Sequence, residues 1–297
     1  MTEARSKLGI HSNGSRNTGL KDMLNRINNA GRRIALVDSH DDYSAAFDAH
    51  QTWPDALTIG DLTEFESQFN IELLRKKAAA NPWVKYWQVY NEINGDWVGQ
   101  ADRLIRIMQL YDNEFKFVIF NCSSGTPQYP EIDPVPYREV ARACKVAKAG
   151  GHLLGLHEYG AIDHHDLIFR YRRLADYLKS QDALCNIVIT EAGPDEGSFI
   201  GVDKFVAWAK AYDAGLMQDG YILGCALWTL GGGGWQAVNF ETALPKLGEY
   251  IATVNGPTPP PPPPVKIVKF SGTCPEPRFD AVASAAVAAG ATIERVL

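Results

Sequence analysis

A (β/α)₈ barrel is the fold class this sequence predicts, and three observations predict it. Eight short apolar, β-prone runs alternate with amphipathic helical patterns. The runs recur roughly every 23 to 37 residues, the length of one βα unit, and eight such units in about 250 residues match the barrel in count and size. Polar and aromatic side chains follow nearly every run, whereas no such set gathers at the run starts. The alternative, an open doubly wound sheet, usually carries a Gly-rich first turn. Here the first run ends instead in His11-Ser12-Asn13-Gly14.

The first run, 8–11, leads into His11 and Asn13, and a helical pattern covers 20–29. The second, 33–37, is followed by Asp38 and His40. The third, 56–59, precedes Asp61 and a helical pattern over 65–80. The fourth, 86–90, ends in Asn91 and Glu92, with a helix expected over 101–112. The fifth, 116–120, stops at Asn121, ahead of a helix over 137–149. The sixth, 153–157, closes on His157 and Tyr159, before a helix over 167–179. The seventh, 187–190, meets Glu191 and precedes a helix over 202–214; the eighth, 221–228, ends in Trp228. Active sites of such barrels lie just past the C-terminal ends of the strands, so these residues form the candidate site.

Composition narrows the function. A net charge of −6 argues against non-specific nucleic-acid binding, which needs a basic face. No apolar run approaches the roughly 20 residues of a membrane span, so no membrane partner is expected. The five cysteines are widely spaced, odd in number and without a C-x-x-C pair. Free, mostly buried thiols are expected rather than a disulfide framework or a zinc site, with a single bridge left open.

A proline run, Pro257 to Pro264 with one Thr inside it, favours stiff polyproline II and joins neither sheet nor helix. It predicts a barrel over 1–255, a linker over 256–264 and a short appendage or truncated module over 265–297. A strand at 265–270 and an Ala- and Val-rich helical pattern at 279–290 are expected in that tail. The proline run suits a secreted modular enzyme, whereas the polar start without a signal sequence and the odd cysteine count suit a cytoplasmic one.

Glycoside hydrolysis needs one carboxylic acid to protonate the leaving oxygen and one carboxylate to meet the developing oxocarbenium ion. Glu92 follows the fourth run and Glu191 the seventh, three apart in an eight-membered ring, so inward-pointing side chains there face each other across the mouth. Tyr90-Asn91-Glu92, His157-Glu158-Tyr159, Thr190-Glu191-Ala192-Gly193 and Trp228, on strands four, six, seven and eight, resemble clan A glycoside hydrolases over roughly residues 7–250. That resemblance implies a retaining mechanism, with Glu92 as acid/base and Glu191 as nucleophile. It further implies that Asn91 binds the sugar 2-OH, Tyr159 hydrogen-bonds Glu191, His157 sits near Glu92, and Trp228 floors the subsite of the reacting sugar. The sequence departs from the clan at strand two. Many cellulase-like members carry an Arg there, and this chain runs Asp38-Ser39-His40-Asp41-Asp42.

Trp97 and Trp235 are further candidate sugar platforms, whereas Trp53, Trp83 and Trp87 suit packing. The four glycines 231–234 offer a backbone nest for phosphate, but no Lys or Arg lies in that loop. The Asp163-His164-His165-Asp166 cluster reads as a loop with Asp166 as a helix cap rather than as a metal site. A metal-dependent amidohydrolase wants His-x-His on strand one and an Asp ending strand eight, and this chain has neither. A silent carbohydrate-binding barrel is the reading from another class. The substrate expected is a neutral, β-linked oligosaccharide or polysaccharide, acted on by a monomer without cofactor or metal.

Overall fold

The structure, a computed structural model, describes residues 5–13, 18–40, 43–62, 69–194, 198–231, 233–254, 267–270 and 292–295. The chain divides into two compact units, Met1–Pro257 and Thr258–Leu297. In the first, strands β1 (Leu8–Asn13), β2 (Val37–His40), β3 (Thr58–Asp61), β4 (Tyr86–Gln88), β5 (Lys116–Cys122), β6 (Leu153–Tyr159), β7 (Ile187–Gly193) and β8 (Ile222–Leu230) form a closed barrel in chain order. Every neighbouring pair is parallel, including the closing pair of β1 and β8. The chain therefore is a (β/α)₈ barrel, with α1 (Thr18–Asn29), α2 (Ser44–Thr52), α3 (Ile71–Ala80), α4 (Trp97–Tyr111), α5 (Pro134–Gly150), α6 (Tyr171–Ser180), α7 (Val202–Leu216) and α8 (Leu244–Thr253) around it.

Two apolar layers hold the barrel. A large shell lies between strands and helices, with Ile10, Trp87, Ile119 and Ile189 meeting helix residues such as Leu24, Leu104 and Leu174. A small plug of Leu36, Ile59, Val118, Leu153, Val188 and Ala226 forms a separate cluster. Side chains on a strand alternate between its faces. Two residues beyond plug members stand Asp38, Asp61, Gly155, Thr190 and Trp228, so the pleat carries the polar layer to the same face.

Most strands run about two residues further into polar sequence than the apolar runs suggest. Glu191 and Tyr159 are thereby inside β7 and β6, and His11, Asn121 and Trp228 are inside β1, β5 and β8. Apolar runs stop where polar side chains begin, but at a barrel mouth those side chains still belong to the hydrogen-bonded ladder. The second and third strands shift the same way, to Val37–His40 and Thr58–Asp61.

Helix α6 begins at Tyr171, later than its apolar pattern indicates, and Asp166 is not its cap. Asp166 accepts a hydrogen bond from the Tyr129 hydroxyl at 2.6 Å. The capping role falls to Glu158 of β6, which accepts from the Phe169 and Tyr171 N–H groups at 2.8 and 2.9 Å and from the Tyr212 hydroxyl at 2.6 Å. Burial pushes this carboxyl up to about 7 against those three donors. Trp97 opens α4 rather than lying in a loop, and Asp96 caps that helix through the Gly99 N–H.

Cys122, Cys144, Cys185 and Cys225 are free and buried, and Cys274 lies outside the described residues. Among the described residues no helix is long and apolar enough to cross a membrane. In the second unit, β9 (Ile267–Phe270) and β10 (Thr292–Arg295) pair in parallel. The helical pattern at 279–290 lies outside the described residues.

Replacing Glu158 by Ala strands two backbone N–H groups and one hydroxyl in a buried setting. At about 1 kcal/mol or more for each orphaned donor, roughly 3 kcal/mol of stability is lost. Thermal melts of Glu158→Ala beside the parent check this, and an unchanged midpoint contradicts it.

Candidate active site

Glu92 reaches the mouth through a backbone exception. After β4 the chain continues through Val89, Tyr90 and Asn91, and Glu92 adopts a left-handed φ of 50°. That region disfavours L side chains, so it must be held. A hydrogen bond from the Glu92 N–H to the carbonyl of Asn121 at 2.8 Å contributes to that hold. The Glu92 side chain is half exposed.

Glu191 depends on a bulge. Leu156 pairs with Ile189 and His157 with Glu191, leaving Thr190 as the extra residue of β7. Strict alternation would turn Thr190 and Glu191 to opposite faces; a bulge re-aims a side chain, and bulges recur next to active sites. Here the Thr190 hydroxyl reaches Asn121, while Glu191 reaches Tyr159 and His157. The Tyr159 hydroxyl donates to Glu191 Oε2 at 2.7 Å.

His157 stands between the two carboxylates. Its Nδ1 lies 3.4 Å from Glu92 Oε1 and 3.4 Å from Glu191 Oε2, ion-pair distances that are long for hydrogen bonds. Those two oxygens are thus no further apart than twice 3.4 Å. Burial by itself pushes the His157 imidazole down, but Glu191, then Glu92 and Asp61, outweigh it and hold it above its ordinary value. His157 holds Glu92 below the usual carboxylate range. Burial holds Glu191 above that range, against the opposing pull of His157 and the Tyr159 hydroxyl.

Next to this trio lies a second imidazole–carboxyl pair, both members driven toward their neutral forms by burial. His11 Nδ1 is 3.1 Å from the carbonyl of Thr190, which has no proton to give, so Nδ1 carries the hydrogen. Burial lowers His11 to about 4, which leaves it neutral near pH 7. Asp38 Oδ2 is 3.7 Å from the same nitrogen, and burial, with Asp61 and Glu191 nearby, drives this carboxyl well above its ordinary value. Next to it, His40 Nδ1 meets Asp61 Oδ2 at 3.3 Å. Where the clan carries Arg on strand two, this chain thus places a carboxyl beside an imidazole. Among the described residues, the charges that act most strongly on Glu92, Glu191, Asp38 and His157 are those of one another and of Asp61, not of a Lys or Arg.

An aromatic wall completes one side. The His11 ring meets Trp228 edge-on at 4.4 Å, and Trp228 meets Trp235 edge-on at 5.5 Å. Trp235 is half exposed. Asn91 accepts from Gln88 Nε2 at 3.1 Å, and Trp97 is half-buried against Phe120, 6.2 Å between ring centroids. The structure therefore brings Glu92, Glu191, His157, Tyr159, His11, Asp38, Trp228 and Trp235 into one linked group. It joins Asn91 to Gln88 and engages Trp97 in packing. The ends of the apolar runs also point to His40, Asp61 and Asn121. Gly155 gives no signal in the sequence and Thr190 only that of preceding Glu191, because their importance comes from the bulges. The Gly231 N–H is taken by the Asn239 side chain at 3.1 Å. The Asp163–Asp166 segment lies in the loop after β6, and no metal-binding group is found among the described residues.

The barrel is similar to those of glycoside hydrolases. A family 128, subgroup II endo-β-1,3-glucanase from Sorangium cellulosum aligns with a TM-score of 0.51 and 13% identity, over 86% of this chain and 99% of that one. XacCel5A aligns with a TM-score of 0.52 and 10% identity, over 83% and 98% of the two chains. A family 51 α-L-arabinofuranosidase from Bifidobacterium longum gives 0.51 and 10%, over 84% and 74%. At these identities the likeness is one of fold. No family model and no curated relative matches the sequence.

The Tyr159 hydroxyl pulls Glu191 down, so Tyr159→Phe is expected to raise the Glu191 carboxyl further. Carboxyl ¹³C titration of the two proteins reads this, and an unmoved or lowered Glu191 contradicts it.

Proposed function

We propose that this barrel is a retaining glycoside hydrolase acting on a neutral, β-linked glycan or glycoside. The observation that carries the reading is His157 Nδ1 in contact with both carboxylates at 3.4 Å. That contact keeps the nearest oxygens of the two carboxylates within twice 3.4 Å of each other, close enough for both to act on one sugar ring. Glu92, the exposed member, is reachable by a leaving-group oxygen. Glu191, held by Tyr159, attacks the anomeric carbon; the bond to the leaving oxygen breaks as Glu92 gives up its proton. Water, deprotonated by Glu92, then releases the sugar from Glu191. Trp228 and Trp235 offer apolar faces for sugar rings, and Asn91 a hydrogen-bonding group for the 2-OH. Among the described residues no Lys or Arg pairs with the trio and Asp61 acts on it, which favours a neutral sugar over an acidic one.

The proton inventory of the empty site bears on the mechanism. Glu92 is lowered and Glu191 raised, the reverse of what an acid and a nucleophile need in isolation. The state with one proton on the Glu92–His157 pair and Glu191 ionised nonetheless has the right total. Moving that proton from His157 to Glu92, favoured when a bound sugar strips water from Glu92, makes the working form. Activity therefore rises as pH climbs through the raised Glu191 value. It falls again as the shared proton leaves, above the ordinary histidine value. A bell-shaped kcat/KM profile with both limbs displaced upward is expected; an acidic limb below the ordinary Glu value contradicts the assignment.

The direct test is turnover of aryl β-glycosides and of β-glucan, β-mannan, xylan and galactan oligomers by the parent, Glu92→Ala and Glu191→Ala. Because the Sorangium neighbour is named for β-1,3-glucan, that linkage belongs in the panel. Glu92→Ala is expected to lose about 10²- to 10⁴-fold on natural leaving groups, and Glu191→Ala no less. Azide should rescue the two as glycosyl azides of opposite anomeric configuration. Activity persisting without either glutamate ends the reading. In this proposal residues 1–255 are the catalytic unit, and 256–264 tether the appendage 265–297.

A further inference from the structure

Glu92 lies just past β4 and Glu191 on β7, with β5 and β6 between them, and among the described residues His157 stands between their side chains. The backbones that carry them are joined. Asn121 of β5 is fully buried and also left-handed, at a φ of 44°, a conformation Asn tolerates better than most residues. Its carbonyl accepts the Glu92 N–H at 2.8 Å. Its Nδ2 donates to the Tyr90 carbonyl at 2.7 Å, so both ends of the Tyr90–Glu92 segment are fastened to one residue. Its Oδ1 accepts the Thr190 hydroxyl at 3.2 Å, the residue next to Glu191. The Thr190 carbonyl is held in turn by His11 at 3.1 Å.

The path exists because two strands are irregular and one residue lacks a side chain. Ile119 pairs with Leu154 and Cys122 with Leu156, so Phe120 and Asn121 together oppose Gly155. A Cβ at Gly155 would fall on Asn121 Oδ1. The Asn121 amide thus passes over β6 at the position left empty for it and meets the extra residue of the β7 bulge.

We propose that Asn121 and Thr190 are positioning residues that set the spacing of Glu92 and Glu191 across β5 and β6. The proposal rests on those two glutamates being the working pair. Neither Asn121 nor Thr190 touches substrate in it; each acts through the backbone next to a glutamate. Loss of the bridge lets the two ends drift, and a misplacement of about 1 Å costs about 10²-fold in rate.

The test is Thr190→Val, which keeps the shape and removes the hydroxyl, beside Thr190→Ser, which keeps the hydroxyl. Thr190→Ala stands in if the Val protein does not fold. Thr190→Val is expected to lose about 10- to 100-fold in kcat, with KM within about twofold, and Thr190→Ser to recover most of the loss. A second readout needs no turnover. Among the described residues, the charges that act most strongly on His157 are Glu191, Glu92 and Asp61, with His11 close by, so its imidazole reports how near the two glutamates stand. ¹⁵N titration of His157 is expected to fall toward the ordinary histidine value in Thr190→Val and to match the parent in Thr190→Ser. Unchanged kcat together with unchanged His157 titration in Thr190→Val overturns the bridge, even if both glutamates prove essential. If the parent hydrolyses nothing, the hydrolase reading falls, and the His157 titration still decides whether the bridge sets the spacing.

Discussion

Alternation of side chains in a closed parallel ladder is the constraint on which this site depends. Leu36, Ile59, Val118, Leu153, Val188 and Ala226 form a dry plug. Where a strand stays regular, the residues two further along point the same way, whether apolar or not. Asp38, Asp61, Thr190 and Trp228 are carried to that face by this step. The polar mouth is therefore a geometric consequence of the apolar plug, and the desolvation of Asp38 follows from its place on the first polar level.

Alternation alone cannot deliver both glutamates. In β7, Thr190 and Glu191 are consecutive, yet both meet residues of the site, and only the extra residue of a bulge reconciles this. In β5, Phe120 and Asn121 take left-handed conformations opposite a glycine. A bulky Phe at a φ of 69° is a costly arrangement. Surrounding packing must supply the compensation, and Phe120 is fully buried with Trp97 as a neighbour. The departures from regular structure coincide with the residues that carry or brace the carboxylates, which is where strain is usually found.

Electrostatically the described part of the site is crowded with carboxyl groups. Glu92, Glu191 and Asp61 surround His157, and its elevated imidazole is the response to that company. Asp38 and His11 resolve the same crowding the other way, both driven toward neutrality by burial. An Arg at strand two would act on the carboxylates; an imidazole–carboxyl pair driven toward neutrality leaves them to His157 and the Tyr159 hydroxyl.

How much of this was legible in the sequence follows from which interactions are local. Apolar period and spacing are local, so the eight-fold βα order and the inward glutamates after runs four and seven could be read directly. Most strand ends were read short, because a hydrophobicity criterion stops at His11, Asn121 or Thr190 while ladder pairing does not; the fourth, read as 86–90, was read long, because the apolar Val89 and Tyr90 lie past the ladder. The start of α6 was read too early, because its cap, Glu158, comes from a strand rather than from the preceding turn. The roles of Gly155 and Thr190 were invisible for the same reason, existing only where β5, β6 and β7 lie side by side. By itself the sequence determined the barrel and the carboxylates at its mouth, because both follow from residue type and period. Tertiary structure alone decided how far apart those carboxylates stand and what protons they hold, because separation and desolvation arise only when distant strands pack together.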